Sequence, residues 1–129
     1  MGDSSTTGNY IITDSSFNGN QGYQGAAIHV QGPLNSLNIE SSDFTSNIAN
    51  TNGGAIYFAN SSVRLVPKIE NSLFKKNQAQ NGGAIFVGNQ PLYIQSSTFD
   101  SNSAKDGGAI ASFSESIIFN YFFHILNNK

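Results

Sequence analysis

The sequence predicts an all-β fold, a right-handed parallel β-helix of about four coils with three short strands in each. Three observations carry this. A block recurs at a near-constant interval, it is built from short β-branched and aromatic runs punctuated by Gly and Asn, and charge is scarce. The block reads Ile-x-x-Ser-x-Phe-x-x-Asn, then five or six residues, then Gly-Gly-Ala-Ile.

Copy one has Ile12, Ser15, Phe17, Asn20 and Gly25-Ala26-Ala27-Ile28. Copy two has Ile39, Ser42, Phe44, Asn47 and Gly53-Gly54-Ala55-Ile56. Copy three has Ile69, Ser72, Phe74, Asn77 and Gly82-Gly83-Ala84-Ile85; copy four has Ile94, Ser97, Phe99, Asn102 and Gly107-Gly108-Ala109-Ile110. Phe to Phe the intervals are 27, 30 and 25 residues, and the slack lies after Gly-Gly-Ala-Ile. Repeats of two helices are excluded because no segment places apolar residues at i, i+3, i+4 and i+7. The Leu-x-x-Leu-x-Leu line of leucine-rich repeats is also missing.

Each position has an expected task. The alternations Tyr10-Ile11-Ile12, Leu37-Asn38-Ile39 and Leu92-Tyr93-Ile94 give the first strand of each coil. After a bend, Ser and Phe share the next inward face. The Asn three residues on stands where a turn begins, and stacked Asn residues are expected to form a ladder that satisfies curved backbone. The two glycines supply a tight turn and close backbone approach, and Ala-Ile opens the third strand. Organisation follows as a lead-in over 1–9, β-helix repeats over 10–115, and a degenerate coil, cap or truncated end over 116–129. In that last stretch Ile118 and Phe123 keep the Ile-to-Phe spacing, which puts Leu126 where Asn belongs.

Composition limits the function classes. Apolar residues make up 38% of the 129-residue chain, enough for a core. Charged residues are only 11%, against about 25% in an ordinary soluble domain. Neutral polar side chains suit a solenoid, where like charges repeated in one column would repel at every step. A formal net charge of −2 without a basic stripe argues against nucleic acid as a partner. With no cysteine there is neither a disulfide nor a thiolate metal site. No set of residues calls for a cofactor or metal, since His29 and His124 have no partners at ligand spacing. The apolar stretch Ile117–Leu126 is too short to span a bilayer. Residues 1–5 lack the form of a signal peptide, so an export signal for a secreted parent would lie outside this sequence.

Phe-x-x-Asn followed closely by Gly-Gly-Ala-Ile resembles the repeat of the polymorphic outer membrane proteins, large autotransporter-type surface proteins of chlamydiae. The resemblance covers residues 10 to 112. It implies a right-handed β-helix of the pectin-lyase-like type in an extracellular or cell-surface segment, which in the chlamydial family serves in adhesion. It also implies a parent protein with further coils of the same solenoid. Ala26, where the second Gly belongs, departs from the pattern and suggests an edge coil.

Four features are candidates for function. Thr13, Glu40, Glu70 and Gln95 follow the leading Ile of each copy, so Glu40 and Glu70 should lie on neighbouring coils, about 5 Å apart. Two carboxylates at about that separation are what a retaining glycosidase uses, and any acidic pair in one solenoid column shares it. Arg64, the only arginine, lies in the longest inter-block segment, 59–67, beside the glycosylation sequon Asn60-Ser61-Ser62. His29, Tyr57 and Phe86 follow Gly-Gly-Ala-Ile and should form an outward aromatic column if Val30, Phe58 and Val87 face in. That column is the candidate surface for a host or cell-surface protein or glycan; the alternative is that it packs against a neighbouring loop. Lys75 and Asp100 occupy one column and would pair at the surface. The expected function is a non-enzymatic surface or secreted module for adhesion or scaffolding; the alternative is a polysaccharide lyase or glycoside hydrolase.

Overall fold

The computed structural model describes residues 8–31, 36–59, 67–88, 91–112, 117–119 and 124–129. Every strand is parallel to its neighbours. The first coil runs through β1 (Asn9–Thr13), β2 (Ser16–Asn18), β3 (Gln21–Gln24) and β4 (Ile28–Val30). The second runs through β5 (Ser36–Glu40), β6 (Asp43–Thr45), β7 (Ile48–Asn52) and β8 (Ile56–Phe58). The third has β9 (Lys68–Glu70), β10 (Leu73–Lys75) and β11 (Ile85–Val87), and the fourth β12 (Leu92–Gln95), β13 (Thr98–Asp100) and β14 (Ile110–Ser112). Two further strands, β15 (Ile117–Phe119) and β16 (His124–Leu126), begin a fifth.

Equivalent strands stack into sheets ordered β1-β5-β9-β12-β15, β2-β6-β10-β13-β16 and β4-β8-β11-β14, the arrangement of a right-handed parallel β-helix. The first two coils differ from the expected three strands, because β3 and β7 pair as a fourth, two-stranded sheet. In coils three and four the same segment is reduced to single bridges, Ile48↔Gln78 and Gln78↔Ser103 among them.

The core is a set of columns. Ile39, Ile69 and Ile94 are fully buried above one another, as are Ile56 and Ile85 on the third sheet. Phe17, Phe44, Phe74 and Phe99 form one stack, with ring centroids 4.8, 4.7 and 4.8 Å apart and interplanar angles of 5° or less. That spacing equals the separation of neighbouring strands, so the backbone dictates the ring distance. The rings gain burial more than any preferred offset geometry.

Buried polar side chains close the corners. Asn47 donates from both its backbone N–H and its Nδ2 to Asn77 Oδ1, each at 3.0 Å, and its Nδ2 also donates back to Phe17 O at 3.0 Å. Asn77 repeats this with Asn102 Oδ1 and Phe44 O. A serine ladder runs beside it. Ser42 Oγ donates to Glu40 O at 2.9 Å and accepts from Ser15 N–H; Ser72 and Ser97 continue the series. Asn47, Asn77, Ser42 and Ser72 are buried, and each is satisfied through the adjacent coil.

Three columns of left-handed backbone turn the chain. The first Gly of each pair has φ between 61° and 67° (Gly25, Gly53, Gly82, Gly107). A second column comprises Asp14, Ser41, Asn71 and Ser96, one residue before the ladder Ser, with φ of 49° to 50°. A third comprises Gly19, Ser46, Lys76, Ser101 and Asn127, one residue before the ladder Asn. Non-Gly residues enter this region at a cost, least for short polar ones, which accounts for the Asp, Ser and Asn at most of these positions.

The expected register of the last coil is corrected. Ile125, not Phe123, pairs with Phe99, and Leu126 pairs with Asp100 on the outward column. The ladder position falls on Asn128, whose Oδ1 accepts from Asn102 N–H at 2.9 Å and whose Nδ2 donates to Phe99 O at 2.8 Å. Because Ile94 pairs with Phe119, this coil needs one more residue than the others between its first two strands. The fixed Ile-to-Phe spacing hides that insertion.

Candidate functional site

The outward face of the first sheet carries the carboxylate column. Thr13, Glu40, Glu70 and Gln95 are register partners in succession. Glu40 is exposed and Glu70 half-buried. Their flanks are polar: in register on the neighbouring outward column are Asn38, Lys68 and Tyr93. The Lys68 ammonium lies 5.8 Å from the centre of the Tyr93 ring, a cation–π contact. Among the described residues, no three or more His, Asp or Glu side chains gather where they could hold a metal ion. The two carboxylates lie side by side on an outward, solvated sheet face.

On the third sheet His29, Tyr57, Phe86 and Ala111 are register partners. The His29 ring is exposed, with Nδ1 3.2 Å from Gln24 O and Nε2 3.1 Å from Gln31 Oε1. It tilts over Tyr57 at 4.9 Å, and Tyr57 stacks on Phe86 at 5.6 Å and 14°. Phe86, on the same outer side, is only 4% exposed. Tyr57 covers one of its faces. Asp100, in register with Lys75, accepts from Ser101 Oγ at 2.7 Å. Arg64 and the sequon at Asn60 lie outside the described residues, as does most of the 59–67 segment. For His124 only the backbone is described, within β16.

The repeat residues proper are absorbed by the fold. Phe44, Phe74, Phe99, Asn47, Asn77 and Asn102 are buried, and Phe17 and Asn20 are half-buried at the first coil. The glycines have two separate duties. A Cβ on Gly53, Gly82 or Gly107 would strike the carbonyl oxygen three residues on, in a backbone already at positive φ. A Cβ on Gly54 or Gly83 would strike the Gly83 or Gly108 carbonyl of the next coil. The first glycine therefore serves the turn and the second serves the contact between coils. Two columns of non-Gly turn residues, and the ladder role of Asn128, were not anticipated from the repeat. For the first of these columns the signal was the recurrent Asp, Ser or Asn just before each ladder Ser.

A stack of parallel coils with its motif residues turned inward is a right-handed β-helix repeat protein. Residues 41–59, 71–88 and 96–112 match the Chlamydia polymorphic membrane protein repeat, so coils two to four are repeats of the polymorphic membrane protein type. No curated protein and no solved structure matches the chain. The matched segments start at the second copy, and the unmatched first copy is the one with Ala26 in place of glycine. No helix among the described residues is long and apolar enough to cross a membrane, which leaves strand-built barrels aside.

Proposed function

We propose that the chain is a non-enzymatic β-helix module of a surface or secreted repeat protein, used for adhesion or as a rigid scaffold. The observation that carries this reading is the division of labour between the two faces. Among the described residues the motif side chains are engaged in the core or at a corner, and the outward columns are left for recognition. Polymorphic membrane protein repeats in three coils support a surface location for the parent. Solenoids recognise partners through such extended columns rather than a single cleft. The partner class is a cell-surface protein or glycan, and His29 with Tyr57 is the most accessible aromatic pair for it.

Binding of the purified chain to intact cells and to a glycan array tests the reading. Saturable binding that Tyr57→Ala weakens is the expected result, and protease treatment of intact source cells should remove the parent from their surface. The enzyme alternative is tested on polygalacturonate and chitin, with and without calcium. Sugar release abolished by both Glu40→Gln and Glu70→Gln would overturn the non-enzymatic reading.

A further inference from the structure

Two of the three Asn-Gly pairs in the sequence, Asn52-Gly53 and Asn81-Gly82, fall at the same corner of coils two and three. Asn52, Asn81 and Asp106 are register partners there, in a column separate from the inner asparagine ladder. Asn81 Nδ2 donates to Asn52 Oδ1 at 2.8 Å, and both side chains are half-buried.

An Asn followed by Gly carries its own reactant. The glycine nitrogen can attack the side-chain carbonyl carbon, and with no Cβ on the glycine nothing crowds the approach. The nitrogen gives up its proton and bonds to Asn Cγ, the Cγ–Nδ2 bond breaks, and Nδ2 leaves as ammonia. Water then opens the five-membered imide at either carbonyl, leaving Asp or its isomer linked through the side chain. Water is the only co-reactant, and nothing is oxidised or reduced.

In the folded coil both nitrogens are engaged elsewhere. Gly53 N–H donates to Asn81 O and Gly82 N–H to Asp106 O, each at 2.9 Å. Both glycines are buried, at φ of 67°. Ring closure requires the Asn backbone to rotate about ψ until the glycine nitrogen reaches its own Cγ, and that rotation breaks the bond to the next coil. At Asn52 the carboxamide is held as well, by Asn81 Nδ2. We infer that Asn52 and Asn81 are deamidation sites kept closed by the contact between adjacent coils and opened when those coils part.

The product does not fit the corner it came from. The isomer adds one backbone carbon directly before Gly53 or Gly82, where even a Cβ would strike the Ile56 or Ile85 carbonyl oxygen. Plain Asp at position 81 loses the donor to Asn52 and sets a second carboxylate beside Asp106 in one column, where like charges repel. A chain whose coils have parted is therefore marked permanently.

Incubation of the full chain at mildly alkaline pH, folded or in guanidinium chloride, followed by peptide mass mapping, reads the rates. The unfolded chain should convert Asn52 and Asn81 with release of ammonia. Asn47 should stay unchanged over the same period, because the β-branched Ile48 crowds the attacking nitrogen. The folded chain should convert both sites roughly tenfold or more slowly, since reaction through an open state that recloses quickly follows the population of that state. On return to native buffer, converted chains should unfold at a lower denaturant midpoint than unconverted chains from the same sample. Equal rates in the folded and unfolded chain, no conversion in guanidinium chloride, or converted chains with the unconverted midpoint would each overturn the inference.

Discussion

The first coil and the interior coils share one motif, yet they solve the corner differently. In the interior Gly54 N–H donates to Gly82 O and Gly83 N–H to Gly107 O, the second glycine of one coil to the first of the next. In the first coil Ala26 N–H donates to Gly54 O at 3.3 Å, and Gly25 N–H is shared between Asn52 O and Gly53 O. The β3–β7 pairing also shifts register between Gly22 and Gln24. A methyl group cannot enter the backbone approach that Gly54 and Gly83 use, so the hydrogen bonds slide by one residue. Among the described residues the first coil packs against one neighbouring coil and the interior coils against two, so its backbone has more room to shift around the added carbon. The same carbon inside the stack would have to displace backbone that is pinned from both sides.

The largest expected effect sharpens that contrast. Gly83→Ala puts a Cβ onto the Gly108 carbonyl and 2.6 Å from Ser103 O. It should cost more than about 3 kcal/mol, enough to remove cooperative urea unfolding in a small domain. The reverse change at the edge, Ala26→Gly, should shift stability by no more than about 1 kcal/mol in either direction, since lost chain entropy and regained corner register oppose each other.

Next in size is the aromatic stack. Phe74→Ala removes a fully buried ring with a stacked neighbour on each side and should cost about 3–5 kcal/mol. Phe17→Ala, with one stacked neighbour and partial burial, should cost roughly half as much by the same transfer and cavity terms. Equal losses in denaturant midpoint would break the comparison between edge and interior.

The polar ladder comes third. Asn77→Ala strands the Phe44 carbonyl and both Asn47 donors, and should cost about 2–4 kcal/mol from buried groups left unpaired. Asn20→Ala removes the Nδ2 donor to Asn47 Oδ1 and keeps the backbone N–H donor, at a half-buried site, and should cost about 1 kcal/mol. Smallest of all is Glu70→Gln on the outward column. Thermal unfolding should move by less than the equivalent of about 0.5 kcal/mol, toward higher stability at low salt, because one of two like charges is removed.

How much of this was legible beforehand varied by residue. The inward Ile and Phe columns and the Asn ladder could be read directly, because a motif repeated at constant internal spacing forces identical side chains into register. Phe86 could not be placed by the same rule. Alternation gives the side of the sheet on which a residue lies, and Phe86 lies on the outer side with Tyr57, yet alternation does not say how far it is covered there. Asn128 escaped because one inserted residue before β16 moves the last coil out of the spacing that holds in the other four. The carboxylate column was legible in position, because register puts Glu40 beside Glu70.

The amino-acid sequence by itself determined the solenoid, its coil boundaries and the two glycine positions, because periodic steric and hydrogen-bond demands leave a periodic record. Tertiary structure decided what happens where the period fails. At the first coil it slid the corner hydrogen bonds around one methyl group, and at the last it recruited Ile125 and Asn128 into columns that the spacing had assigned to other residues. Both outcomes depend on which atoms the adjacent coil presents, and that information is not local to either segment.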